Sequence, residues 1–102
     1  MSYKVRFTLE AEADLIRLYE FILERDATDW HLAESALVAI RQSIRMLGET
    51  PFTCRKARAN DPFLRELIIP FGSTGYVALF EIENPDWVTI LAVRHQREED
   101  YH

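Results

Sequence analysis

The chain of 102 residues is 48% hydrophobic and 12% aromatic, which excludes a disordered chain and suffices for one core without disulfide or metal. Its 12 Lys and Arg stand against 17 Asp and Glu, and the resulting net charge of −5 argues against a broad, non-specific grip on nucleic acid. No apolar run approaches the roughly 20 residues of a bilayer-spanning helix, the MSYKVRF start lacks the apolar centre of a signal peptide, and a lone Cys54 closes no internal disulfide. A single cytoplasmic domain over residues 1–102, with no membrane partner, is therefore expected.

Tyr3, Val5 and Phe7 alternate with Lys4, Arg6 and Thr8, the period of a half-buried strand. Thr8 can cap a following helix, with Glu10 and Glu12 near its positive end. On a 3.6-residue period Ala11, Leu15, Leu18, Tyr19 and Ile22 share one face, and Glu10, Asp14, Arg17, Glu20 and Glu24 the other. The polar segment at 26–29 ends this helix, and Thr28 or Asp29 can cap a second one. Ala33, Leu37, Ile40, Ile44 and Leu47 form the stripe of that helix, which Gly48 and Pro51 stop. Trp30 and His31 at its start are read as packing and cap residues. So short a connection predicts an antiparallel helical pair. Three strand-like runs follow, Phe63 to Ile69, Gly75 to Ile82 and Trp87 to Val93, joined by short turn-rich separators that favour a meander. The expected fold is α+β in the order β-α-α-β-β-β, an antiparallel sheet with the helical hairpin packed on one face.

Two groups of residues are candidates for function. Arg55, Lys56, Arg58 and Arg65 face only Asp61 over residues 55–65, a local +3 on an acidic body, in what reads as a loop and the start of the meander. The last strand then runs into Arg94, His95, Arg97 and Tyr101. A strand end that presents Arg, His, Arg and Tyr side by side is poorly explained by core packing. His95 could serve as a general acid or base, as a hydrogen-bonding anchor, or as a packed strand-end residue. His95, Glu98, Glu99, Asp100 and His102 match no established metal-site spacing, so no metal is expected. Three glycines in all exclude the usual phosphate-cradling loops, and neither a glycine-flanked nucleophile nor an activated context for Cys54 is present. No cofactor is expected.

The ordered set TLEAEADLIRLYEFI, LGETPF, LRELIIPF, GYVALFEI and VTILAVRHQREEDY resembles the RelE/ParE toxin superfamily over essentially the whole chain. The AEADL helix start and the strand ending in His-x-Arg resemble its ParE, or plasmid-stabilisation, branch most closely. That resemblance implies the toxin of a type II toxin–antitoxin system with a cognate antitoxin partner, and for the ParE branch DNA gyrase as target. For the RelE branch it implies ribosome-dependent, metal-independent cleavage of mRNA. In that case Arg65 and Arg97 would stabilise phosphate charge while His95 and Tyr101 handled protons. The middle run Tyr76-Val77-Ala78-Leu79-Phe80 lacks the arginine common in the RNA-cleaving branch, and −5 suits ribosomal RNA poorly, so the gyrase reading is preferred. A non-toxic paralogue that keeps only antitoxin binding is a third reading. Arg55, Lys56, Arg58, Arg65, Arg94, His95 and Arg97 are the expected target or antitoxin contacts. They are expected to form one surface, with the basic loop beside the C-terminal cluster.

Overall fold

The computed structural model describes residues 2–97 of the chain. Strand β1 (Lys4–Phe7) leads into helices α1 (Leu9–Arg25) and α2 (Trp30–Arg45). Strands β2 (Arg55–Arg58), β3 (Asp61–Phe71), β4 (Thr74–Ile82) and β5 (Trp87–His95) complete a five-stranded sheet of order β1-β5-β4-β3-β2. The helical hairpin packs on one face of that sheet, and the fold is α+β.

The helices begin and end for local reasons. Thr8 caps α1 by accepting the Ala11 N–H at 3.1 Å, and Glu10 and Glu12 sit in its positive first turn. The connection to α2 is held by Asp26, whose carboxylate accepts both the backbone N–H and the hydroxyl of Thr28. Asp29 occupies the N-cap of α2 without a side-chain bond, while Trp30 and His31 are exposed and stack on each other, ring centroids 3.7 Å apart. Beyond Arg45 a 3-10 turn ends at Gly48, whose carbonyl accepts the Tyr3 N–H at 2.7 Å and ties the end of the hairpin to the first strand.

Strands β2 to β5 alternate in direction, but β1 runs parallel to β5, so the sheet is mixed rather than wholly antiparallel. The parallel register sets Val5 beside Val88 and Phe7 beside Ile90, which brings the apolar side chains of β1 under the helices. Residues 55–58, expected as loop, form β2. The Arg-Lys-Ala-Arg run has no apolar alternation because it is an edge strand, where charged side chains are tolerated and discourage pairing with another chain.

The core lies between the hairpin and the sheet, around Phe80, Ile40, Leu47, Ile69 and Ile90, all fully buried. Burying each such side chain contributes about 1.5–3 kcal/mol. Ala36, not part of the expected stripe, is buried, while Leu37 is only half-buried. Asp14, assigned from periodicity to the polar face of α1, is instead 6% exposed. Its task is set by the sheet, where it accepts a backbone N–H of β5.

Candidate functional site

Strand β5 is sandwiched between β1 and β4, yet β1 pairs with it only as far as Ile90. Past that point the backbone of β5 needs other partners, since buried N–H and C=O groups are costly to leave unpaired. Helix α1 supplies them. The Thr8 hydroxyl donates to the Leu91 carbonyl at 3.3 Å, and Asp14 Oδ2 accepts the Val93 N–H at 2.9 Å. A register shift in the β4–β5 ladder, with Leu79 opposite Ala92 but Phe80 opposite Ile90, leaves Leu91 as the extra residue. The end of β5 is thereby drawn beneath α1, and His95 arrives beside the second half of that helix.

His95 pairs across the ladder with Tyr76, and their rings meet edge to face at 5.6 Å. Its Nδ1 accepts the Arg97 backbone N–H at 3.1 Å. A neutral ring with Nδ1 as acceptor carries its proton on Nε2, which lies 3.0 Å from Thr74 Oγ1 and donates to it. Burial pushes the Tyr76 phenol pKa up, so it stays a neutral hydrogen-bonding group. These residues floor a cleft of about 670 Å³. One wall is α1, with Leu18, Phe21 and Ile22 as its apolar part, and Arg17, Arg25 and Arg97 also line it. No carboxylate lines it among the described residues. Arg17, Phe21 and Arg25 recur every four residues along one flank of α1, a spacing visible in the sequence but masked there by reading Arg17 only as part of a solvated face.

The candidate cations do not form the single surface expected of them. Arg94 and Arg55 lie on the sheet face opposite the helices, on either side of Glu66. Arg55 Nε is 3.0 Å, and an Arg94 Nη 3.9 Å, from its carboxylate oxygens. Lys56 and Arg58 belong to the β2 edge, paired with Arg65 and Asp61. Arg65 shares the helix-side face with His95, but its register partner Phe80 is four residues along β4 from Tyr76, about 13 Å. There its guanidinium donates to the carbonyls of Pro62 (2.8 Å), Cys54 (2.8 Å) and Phe52 (3.2 Å) and covers the Phe52 ring. The chain folds this way because Phe52 and Cys54, in and after a 3-10 turn, present carbonyls that no strand partner claims. The expected pairing of Arg65 with the C-terminal cluster is thus replaced by two groupings at opposite ends of β4. Of that cluster, His95 and Arg97 share the cleft, Arg94 turns away, and Tyr101 lies outside the described residues.

Among the described residues, no three His, Cys, Asp or Glu side chains are grouped as metal ligands, and no helix is long and apolar enough to cross a membrane. Cys54 has its thiol pKa pushed up by burial, which outweighs the opposing field of Arg65. A second cleft, of about 650 Å³, opens at the far end of β4, with Tyr3, Phe52 and Phe63 beside Asp61, Glu81 and Glu83.

The family model described as "ParE toxin of type II toxin-antitoxin system, parDE" matches residues 5–100. Among solved structures, the chain is similar to one titled "Chromosomal ParDE TA system from P. aeruginosa", with a TM-score of 0.73 at 18% identity over 92% of this chain and 96% of that one. It is also similar to a chain of the toxin–antitoxin complex RelBE2 from Mycobacterium tuberculosis, with a TM-score of 0.60 at 23% identity over 96% and 95% of the two chains. At these identities the structures speak for the fold. No curated protein matches the sequence.

Proposed function

Since the chain belongs to the ParE toxin family of type II toxin–antitoxin systems, we propose that it is a toxin acting by binding, with DNA gyrase as its target and a cognate antitoxin as its stable partner. The single observation that carries a binding mode is the state of Arg65. Its Nε and one Nη are committed to three backbone carbonyls, about 13 Å along the sheet from His95, so a phosphate at His95 is out of its reach. Charge on a scissile phosphate needs donors aimed at where it develops. Strand β4, between the two, contributes no cation, and the net −5 disfavours steering onto ribosomal RNA. His95 is held in a defined tautomer by Thr74 and Arg97, which suits an anchor. His95, Arg97, Arg17 and Arg25 are the residues offered to a partner on this reading, with the edge cations Arg55, Lys56 and Arg58 as a second contact.

Cleavage of mRNA on the ribosome is the second reading, and one feature favours it: a histidine and three arginines do share the cleft. Induced expression combined with primer-extension mapping of translated message separates the two. Growth arrest without new cleavage sites is the expected result. Cleavage that disappears in both His95→Ala and Arg97→Ala would assign the enzyme instead, and normal growth would point to a paralogue retaining only antitoxin binding.

A further inference from the structure

We propose that the cleft at the far end of β4 seats an arginine side chain from a basic segment of a protein partner. The aliphatic stem of that arginine rests on Tyr3, Ile82 and Pro85, and its guanidinium meets the rings of Phe52 and Phe63. Ile82 is six residues along β4 from Tyr76, about 20 Å, so this contact is separate from the one at His95. The inference rests on the reading of this protein as one that acts through protein partners, and it adds a second site and the chemistry of what occupies it.

Three observations select this occupant. Phe52, in a 3-10 turn, and Phe63, at the start of β3, remain 45% and 51% exposed, and their rings meet edge to face at 6.2 Å. Two large aromatic surfaces are thus left uncovered side by side. The protein itself shows that this ring system takes a planar cation, because the Arg65 guanidinium lies over Phe52, 5.4 Å from the ring centroid. Charge supplies the third observation: Asp61, Glu81 and Glu83 line the cleft, and no Lys or Arg does. Glu83 is matched by Arg6 at 2.6 Å, and Asp61 Oδ1 accepts the N–H groups of Phe63 and Leu64. Glu81 is half-buried and forms no hydrogen bond or ion pair among the described residues. A long apolar stem that ends in a delocalised cation is the complement of an aromatic surface edged by acids. The net charge of −5 steers a basic segment toward the molecule and repels an acidic one. Single-stranded nucleic acid would also stack on the rings, but its phosphates are opposed by the same charge.

The test uses the full chain and a short fluorescein-labelled peptide of alternating Arg and Gly, read by fluorescence anisotropy at moderate salt. The same peptide with Lys or with Glu for every Arg, and a short single-stranded RNA, serve as comparators. The Arg peptide is expected to bind, with its affinity falling about tenfold in Phe63→Ser and about threefold in Glu81→Gln. Val38→Ser and Glu24→Gln remove an exposed apolar side chain and an exposed carboxylate from the helices, and should leave it unchanged. The Lys peptide should bind more weakly, since an ammonium lacks the planar face that stacks on a ring, and neither the Glu peptide nor the RNA should bind. No binding of the Arg peptide, equal binding of the Arg and Lys peptides, equal losses in Glu81→Gln and Glu24→Gln, unchanged affinity in Phe63→Ser, or RNA binding abolished by Phe63→Ser would each overturn the proposal. Growth arrest on expression is scored independently of these titrations. Arrest without peptide binding removes this cleft and leaves the toxin reading, whereas peptide binding without arrest removes the toxin reading and leaves the cleft.

Discussion

Asp14 shows how a single side chain can be decided by the strand it serves rather than by the helix it sits on. By helical period it belongs with Glu10 and Arg17 on a wet face, yet its carboxylate is buried against the Val93 N–H, with an Arg17 Nη 3.9 Å from its other oxygen. Replacing it with Ala removes the acceptor for a buried donor, at a cost of roughly 1–3 kcal/mol. Asp14→Asn keeps an oxygen in place and should lose less. Thermal unfolding of the two variants checks the order, and equal melting temperatures would contradict the role given to the carboxylate. Cys54 illustrates the reverse case, a reactive residue type made inert. With its thiol pKa raised by burial, the thiolate is scarcer at neutral pH than in an ordinary cysteine. Iodoacetamide labelling of the native protein at neutral pH should be slower than that of the unfolded chain, with the rate still climbing at pH values where a free thiol has levelled off. Labelling at the unfolded rate would contradict the raised thiol pKa. The sequence marks Arg65 as one of four cations over residues 55–65. What the sequence could not show is that its guanidinium meets backbone carbonyls, because those of Phe52 and Cys54 become acceptors only after the 3-10 turn forms.

Among the elements, the β3–β4 hairpin places Thr74 under His95, and it depends on two glycines for different reasons. Gly72 takes φ +62°, where a side chain is disfavoured, though nothing lies within 4 Å of the space a Cβ would enter. Gly72→Ala should therefore cost about 1–2 kcal/mol from backbone strain alone. Gly75 has no such backbone demand, but a Cβ there would collide with the Ile69 carbonyl oxygen across the hairpin. Gly75→Ala should be the more damaging variant, near the top of the roughly 0.5–3 kcal/mol range of ordinary substitutions. Chemical denaturation of both variants checks the ranking, and a milder Gly75→Ala would contradict the packing described. Both helices were legible because each has a 3.6-residue period and stop signals at its ends, and the three long strands because runs rich in apolar and β-branched residues lie between turn residues. β2 was not, since an edge strand needs no apolar alternation and its pairing with β3 is a tertiary fact. The parallel partnership of β1 with β5 was equally hidden: the local sequence of β1 records which side is apolar, not which strand lies beside it.

For the whole molecule, the family assignment came from the whole-chain pattern and the cleft from the fold. The ordered set of helix starts, turns and strand ends was enough to place the chain in the RelE/ParE group, and the ParE family model matches residues 5–100. The joint site could not be read the same way. Residues adjacent in sequence on β5, Arg94 and His95, emerge on opposite faces, while Arg17 and Arg25, far away in sequence, come to the same cleft as His95 and Arg97. That geometry separates Arg65 from His95 and groups Arg17, Arg25 and Arg97 beside an apolar wall, which supports the binding role proposed above. The most direct measurement is DNA supercoiling by purified gyrase in the presence of the full chain. The account predicts loss of supercoiling at micromolar protein, relieved by the cognate antitoxin; supercoiling that proceeds at its normal rate under those conditions would contradict the assigned target.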